Sequence, residues 1–322
     1  MDGHHVNVAL RHQSDILPVQ TRNWPYIMIS RFKHWGRFGL KYTGTNKTAS
    51  AAAILFLSGA LLTGCNSVGS EFEQIATQST LSPQTVSYPL EKARPRYGDS
   101  DPVFEWEGGA PFGFPVHGVD VAKWQRALNW SELQRQNIRF AFIKATEGGD
   151  LLDDMFAVNW AGAGRAGIER GAYHFLYFCT SAEQQARWYI RNVPKTGGAL
   201  PPVLDAEWNP KSPTCKRRPP PAEVRAKMKR WMDIVERHYG QRPIIYTTVD
   251  FHRDNLVGHM NDEVFWLRST KTHPKVTYPG RRWAFWQYTG TGRIQGAVGD
   301  IDINVFAGSE SAWRDWLKAA KR

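Results

Sequence analysis

Beyond residue 116 the chain alternates short apolar runs with stretches of helical periodicity. Residues 116–121, 140–145 and 171–177, and the run 203–205, have the length and the β-branched or aromatic content of buried strands. Between them lie helices with start and stop signals. Asn129 and Glu132 form an N-x-x-E box opening a helix to about Gln136. A helix over 153–166 ends at Gly167, Ser181 and Gln184 open one to Asn192, and one over 222–239 closes at Gly240. Residues 244–247 give a fifth strand, followed by a short helix over 250–257. Then 264–267, 283–288 and 300–303 read as strands without clear helices between them, before an amphipathic helix over 309–320. Five βα units followed by three strands predict an α/β fold: an irregular TIM-like barrel whose parallel sheet is incompletely wrapped by helices.

The first 116 residues have a different pattern. Arg31, Lys33, Arg37, Lys41 and Lys47 precede an apolar run over 49–62 that ends in LLTGC at 61–65. A basic flank, a short apolar stretch and small residues before a cut site describe a secretory signal, too short for an ordinary membrane span. The LTGC ending resembles the bacterial lipobox, which implies lipidation at Cys65. Residues 1–64 are therefore expected to be a signal region, with Met28 a start of more typical signal length. Residues 65–116, rich in Ser, Thr, Pro and Gly, are expected to be a disordered, lipidated tether. The expected location is the bacterial cell envelope, with the protein held to the membrane through Cys65. Cys179 and Cys215 both follow predicted strands; they either pair in an oxidising compartment or remain free thiols.

Composition and charge narrow the partners. The chain has 322 residues, 42% hydrophobic, with 14 Trp and a formal charge of +11. Residues 117–322 carry 31 Lys+Arg against 21 Asp+Glu, a basic body suited to anionic polymers. Zinc-finger spacing, a P-loop and RNA-binding aromatic motifs are absent, so nucleic acid is not the expected partner. The loop 211–221, with Lys216, Arg217 and Arg218, is either a contact for anionic wall polymer or a solvated charge cluster.

Candidate chemistry centres on PPVLDAEW at 201–208. Residues two apart on a strand share a face, so Asp205 and Glu207 project together with Cα atoms about 6.5 Å apart. Paired carboxylates suit glycosidic cleavage, one protonating the leaving oxygen while the other stabilises or attacks the anomeric centre. In such barrels chemistry gathers at the carboxyl ends of strands. Asp120, Glu147, His174, Tyr246, Gln287 and Asp302 all fall near those ends, beside Trp124, Tyr173, Phe175, Trp208, Trp286 and Tyr288. Rings for sugar faces and acids for an anomeric centre make one carbohydrate groove.

The ordered motifs HGVDVAKWQ (117–125), FAFIKATEG (140–148), GAYHF (171–175), VLDAEW (203–208), PIIYTT (243–248), FWQYTGTGRI (285–294) and GDIDINVF (299–306) resemble glycoside hydrolase family 25, the N-acetylmuramidase lysozymes. The resemblance covers essentially all of 117–310, within a catalytic domain read as 117–322. It implies a (β/α)5(β)3 barrel that cleaves the β-1,4 bond between N-acetylmuramic acid and N-acetylglucosamine in peptidoglycan. It implies Glu207 as acid/base, with Asp205, Asp120 and Asp302 as the accompanying acids. Trp124, Tyr173, Tyr246, Trp286 and Gln287 become expected substrate contacts, and no cofactor or metal is implied. Packing against Trp208 and Trp286, together with the charge of Asp205, is expected to raise the Glu207 pKa. Whether Asp205 attacks directly or steadies an oxazolinium formed by the 2-acetamido group is left open. The same motifs would also suit a peptidoglycan-binding lipoprotein without turnover. A chitinase-like D-x-D-x-E is absent, since Val203 stands two before Asp205. Ala122, Lys123 and Arg268 depart from the usual pattern; Arg268 either reaches a stem-peptide carboxylate or excludes solvent.

Overall fold

A computed structural model describes residues 94–321. Cys65 and the expected signal region lie outside the described residues. Eight strands close a barrel: β2 (His117–Val121), β3 (Ile138–Glu147), β5 (Glu169–Phe175), β6 (Val203–Ala206), β7 (Ile244–Thr247), β8 (Phe265–Arg268), β9 (Phe285–Arg293) and β10 (Ile301–Phe306). Neighbours from β2 through β9 run parallel, and the antiparallel β10 closes the ring against both β9 and β2. Two short strands lie outside this ring: β1 (Gly98–Asp99) on the edge of β9, and β4 (Leu151–Leu152), which folds back on β3. The expected (β/α)5(β)3 barrel is the architecture that forms.

The helices are α1 (Trp130–Arg135), α2 (Phe156–Arg165), α3 (Ala182–Asn192), α4 (Pro221–Tyr239), α5 (Val249–Asn255), α6 (Pro274–Thr277) and α7 (Glu310–Ala320). Capping follows the sequence signals. The Asn129 side chain accepts from the Glu132 amide at 3.1 Å, and Ser181 accepts from the Gln184 amide at 3.2 Å. Gly240 ends α4 in the left-handed conformation that a Cβ would disfavour. Helix α2 starts at Phe156 rather than at Asp153, because Asp153 is occupied as an acceptor: it takes the amides of Lys123 (2.9 Å) and Met155 (3.0 Å), tying the α2 entry to the loop after β2.

Strand alternation separates two apolar layers. Outward-facing Val119, Val121, Leu204, Ala206, Ile245 and Leu267 meet the helices, while inward-facing Phe140, Phe142, Val203, Ile244 and Phe285 fill the lower barrel. Helix α7 caps the amino-terminal mouth. Its Trp313 and Trp316 stack at 5.5 Å and press on Phe285 and Phe306. With that floor sealed, the barrel is open to solvent only at the carboxyl ends of its strands.

The segment read as tether differs from expectation over its described part. Residues 94–116 pack on the barrel. β1 pairs with β9, Tyr97 donates to the Gln136 carbonyl at 3.0 Å, and Trp106 sits edge-on to Trp286 at 5.5 Å, with Phe112 and Phe114 beside it. The reason is the missing helices. Only the four-residue α6 lies between β8 and β9, and no helix lies between β9 and β10, yet an apolar outer face must be buried against something. The aromatic residues of this segment supply the cover. Trp106→Ala should therefore lower unfolding free energy by about 3 kcal/mol. Phe104→Ala, at a side chain that is 90% exposed, should change it by less than about 0.5 kcal/mol. Urea denaturation of the two variants checks this difference.

Candidate active site

The upper barrel interior is polar, and the inward parity of each strand determines its members. β2 contributes Asp120, β3 Lys144, β5 Tyr173 and Phe175, β6 Asp205 and, one residue beyond its end, Glu207. β7 adds Tyr246, β8 Trp266 and Arg268, β9 Gln287, and β10 Asp302. With Trp124 on the rim they line a cleft of about 320 Å³. The structure thus brings all four sequence-predicted acids together, along with Trp124, Tyr173, Tyr246 and Gln287.

Trp286 is a correction: it does not reach this cleft. Gln287 points inward, so its neighbour must point out, and Trp286 is fully buried on the outer face with its indole N–H on the Ser269 carbonyl at 2.7 Å. Trp208 also faces outward, packing on Phe251 and donating to Asp254 at 2.9 Å. Neither tryptophan accounts for the state of Glu207. Besides Trp124 on the rim, the indole that lines the cleft is Trp266, which sequence reasoning missed although it shares inward parity with Arg268. His174 is a core histidine, stacked on Trp231 at 5.2 Å and bonded to Thr146 and Gln185.

Asp120 is the hub of the hydrogen-bonding. Gln287 Nε2 donates to its two oxygens at 2.9 and 3.1 Å, and Asn304 Nδ2 donates to Oδ1 at 2.7 Å. Each donor is itself oriented: Tyr246 Oη donates to Gln287 Oε1 at 3.0 Å, and Trp266 Nε1 to Asn304 Oδ1 at 2.8 Å. One carboxylate therefore fixes side chains from β7, β8, β9 and β10 in a single arrangement. Asn304, also missed from sequence, lies two residues after Asp302 and so shares its face.

Asp302 stands directly opposite Asp120 across the β10–β2 ladder, which places two acids side by side. Burial pushes the Asp120 pKa up to about 6, against the pull of the Asn304 and Gln287 donors. Asp302 is raised well above its ordinary value by burial and then by the charge of Asp120. Asp205 is raised well above its ordinary value by burial and then by Glu207, and its Oδ1 has no hydrogen-bond partner among the described residues. Glu207 is pushed up to about 7, chiefly by desolvation, with Arg268 and Lys144 opposing. The D-x-E pair is the place where a proton is held near neutrality.

The wall beside this pair is braced from outside the barrel. Lys144 pairs with Glu147 at 2.7 Å, and Tyr177 donates to the same Glu147 carboxylate. Ser212 donates to the Tyr177 hydroxyl at 3.3 Å and accepts the Cys215 amide at 3.0 Å. Cys179 and Cys215 are joined in a disulfide with Cα atoms 5.7 Å apart, fixing the loop after β6 to the loop after β5. Among the described residues no group of three or more His, Cys, Asp or Glu side chains is arranged to hold a metal ion.

The arrangement can protonate a leaving oxygen and stabilise positive charge at an anomeric carbon, and sequence and structure comparisons point the same way. The family described as glycosyl hydrolases family 25 matches residues 119–297. The uncharacterized protein YegX of Escherichia coli O6:H1 is 34% identical over 225 residues, covering 68% of this chain and 80% of its own. Lysozyme M1 of Streptomyces globisporus is 36% identical over 207 residues, covering 60% of this chain and 68% of its own. The solved structure of a family 25 glycosyl hydrolase from Bacillus anthracis superposes with a TM-score of 0.60 at 36% identity, covering 67% of this chain and 99% of that one. Barrel, acid cluster and similarity together show that the chain belongs to glycosyl hydrolase family 25.

Proposed function

We propose that this enzyme is a muramidase that hydrolyses the β-1,4 bond between N-acetylmuramic acid and N-acetylglucosamine in peptidoglycan. The observation that carries the reading is the D-x-E pair, two of the four buried or half-buried acids at the open end of the barrel. Its similarity to Lysozyme M1 supports the choice of glycan. Glu207 is the general acid: desolvation keeps its proton in place near neutrality, where an ordinary glutamate would have lost it. Water then enters from the same side, and Glu207, now ionised, takes its proton.

Asp205 acts as the stabiliser. It lies two residues before Glu207 and faces the same cleft from the same chain segment, a poor position for a nucleophile that must approach from opposite the leaving group. Its buried, unpartnered Oδ1 is free to accept the N–H of a 2-acetamido group as that group closes on the anomeric carbon. Asp120, held by Gln287 and Asn304, keeps the cleft wall rigid, with Asp302 beside it across the β10–β2 ladder. Trp124, Trp266 and Tyr173 offer ring faces to the sugars.

The work is extracytoplasmic, as suits a family of cell-wall hydrolases. The Cys179–Cys215 pair supports an oxidising compartment. The basic flank before the apolar run and the LTGC at 62–65 support lipidation at Cys65 and attachment to the membrane. Cys65→Ser should move the protein from the membrane fraction to the soluble fraction of its host. If the variant stays with the membrane, the lipid anchor is the wrong explanation.

The reading is tested by digesting purified peptidoglycan and analysing the reduced fragments by mass spectrometry. Fragments ending in reduced muramic acid are expected from the unaltered protein, with release slowed about 10²- to 10⁴-fold in Glu207→Gln. Fragments ending in reduced glucosamine, or binding to the sacculus without release, would contradict it. Acid crowding also has a stability signature. Asp302 binds its proton more tightly folded than unfolded, so it costs stability as pH rises above the ordinary aspartate range. Asp302→Asn should therefore raise Tm at pH 7, by about 2–4 °C for each kcal/mol relieved, while hydrolysis falls. The Tm difference should shrink as pH approaches about 4, and calorimetry across that range checks the sign.

A further inference from the structure

We infer that Arg268 recognises a carboxylate carried on the muramyl side of the glycan, an inference that rests on the muramidase reading above. Arg268 ends β8 and lines the cleft beside Gln287, its register neighbour on β9. Two cations line this cleft, and they are differently employed. Lys144 is paired with Glu147 at 2.7 Å. The Arg268 guanidinium, half-buried, forms no hydrogen bond and no ion pair with any described residue.

A guanidinium withdrawn from bulk water usually has its donors matched by acceptors. Arg242 shows this in the same protein, holding Asp233 and Glu236 at 2.8 and 2.9 Å and pairing with Glu263. Arg268 does influence the acids, since its charge opposes the upward shifts of Glu207, Asp302 and Asp120. Yet it touches none of them, as a side chain placed only to hold them ionised would. Its mounting is rigid: Tyr278, buried to 1% exposure, donates its hydroxyl to the Arg268 carbonyl at 2.6 Å. That bond holds the main chain at Arg268, while the five guanidinium donors are left unmatched by any described residue beside the cleft.

A planar fork of donors fits a carboxylate. Elsewhere the cleft wall presents the acids Asp120, Asp205, Glu207 and Asp302, and its other cation, Lys144, is already paired. An anionic substituent on the substrate therefore has one favourable position, against Arg268. Two sources carry this chemistry: the lactyl carboxylate exposed on muramic acid once its stem peptide has been removed, and a carboxylate of the stem itself.

The test measures kcat and KM on four soluble glycan preparations: stem-bearing chains, stem-free chains produced by an N-acetylmuramoyl-L-alanine amidase, and each of these with its carboxylates converted to methylamides. The unaltered protein should prefer a carboxylate form over its methylamide by roughly 10- to 100-fold in kcat/KM, mostly through KM. The preference falls on the stem-free pair if the lactyl group is the ligand and on the stem-bearing pair if the stem is. Arg268→Ala should abolish the preference, and Arg268→Lys should restore part of it. A preference that survives Arg268→Ala overturns the inference, as does an equal loss on all four glycans, which would mark Arg268 as serving the acids alone. If the unaltered protein cleaves none of the four, the muramidase reading fails separately. Calorimetric binding of the same glycans then decides the inference: a carboxylate preference lost in Arg268→Ala upholds it, and no preference in the unaltered protein overturns it.

Discussion

Four carboxyl groups share the mouth of a closed barrel, and the repulsion and desolvation among them are the constraint on which the rest of the site depends. Closing eight strands over an aromatic floor leaves side chains only one open end. Placing Asp120, Asp205, Glu207 and Asp302 there raises every one of their pKa values by burial. Such a set is tolerated because Asp120 is tied to two oriented amides and because Lys144 and Arg268 oppose the charge. The same crowding keeps a proton on the D-x-E pair where glycoside cleavage needs one.

The supports outside the barrel follow from this. A crowded polar mouth requires walls that do not relax, so the hydrogen-bonded line from Tyr246 through Gln287 to Asp120, and from Trp266 through Asn304, spans five strands. The disulfide braces the wall near Lys144 through Ser212, Tyr177 and Glu147. Where helices are missing, the segment carrying Tyr97, Trp106, Phe112 and Phe114 takes over their packing role. The enzyme domain therefore begins well before His117, the start suggested by the first barrel strand.

Much of this was legible in the sequence, for physical reasons that also explain the failures. Strands with apolar runs and helices with capping residues announced themselves, because backbone geometry and local hydrogen bonds are local properties. The D-x-E face followed from a period of two. Applied to Phe285–Arg293, that same period would have turned Trp286 outward, and applied to Phe265–Arg268 it would have turned Trp266 inward beside Arg268. Proximity to an acidic strand end had outweighed alternation. Asn304 was hidden because its role exists only across the ladder to Asp120, a contact between residues 184 apart in the chain. The packing of 94–116 was hidden because irregular segments carry no periodic signal, although their aromatic residues marked surface that needed cover. Pairing of Cys179 with Cys215 depended on a Cα separation that only the fold supplies.

The most direct test of the central claim is a carboxyl-carbon NMR titration of the unaltered protein, with the Glu207 resonance assigned by its loss in Glu207→Gln. A proton leaving Glu207 with a midpoint near 7 is the expected result. A midpoint near the ordinary glutamate value of about 4.3 would mean that the crowded barrel mouth does not hold the catalytic proton, and the account would be contradicted.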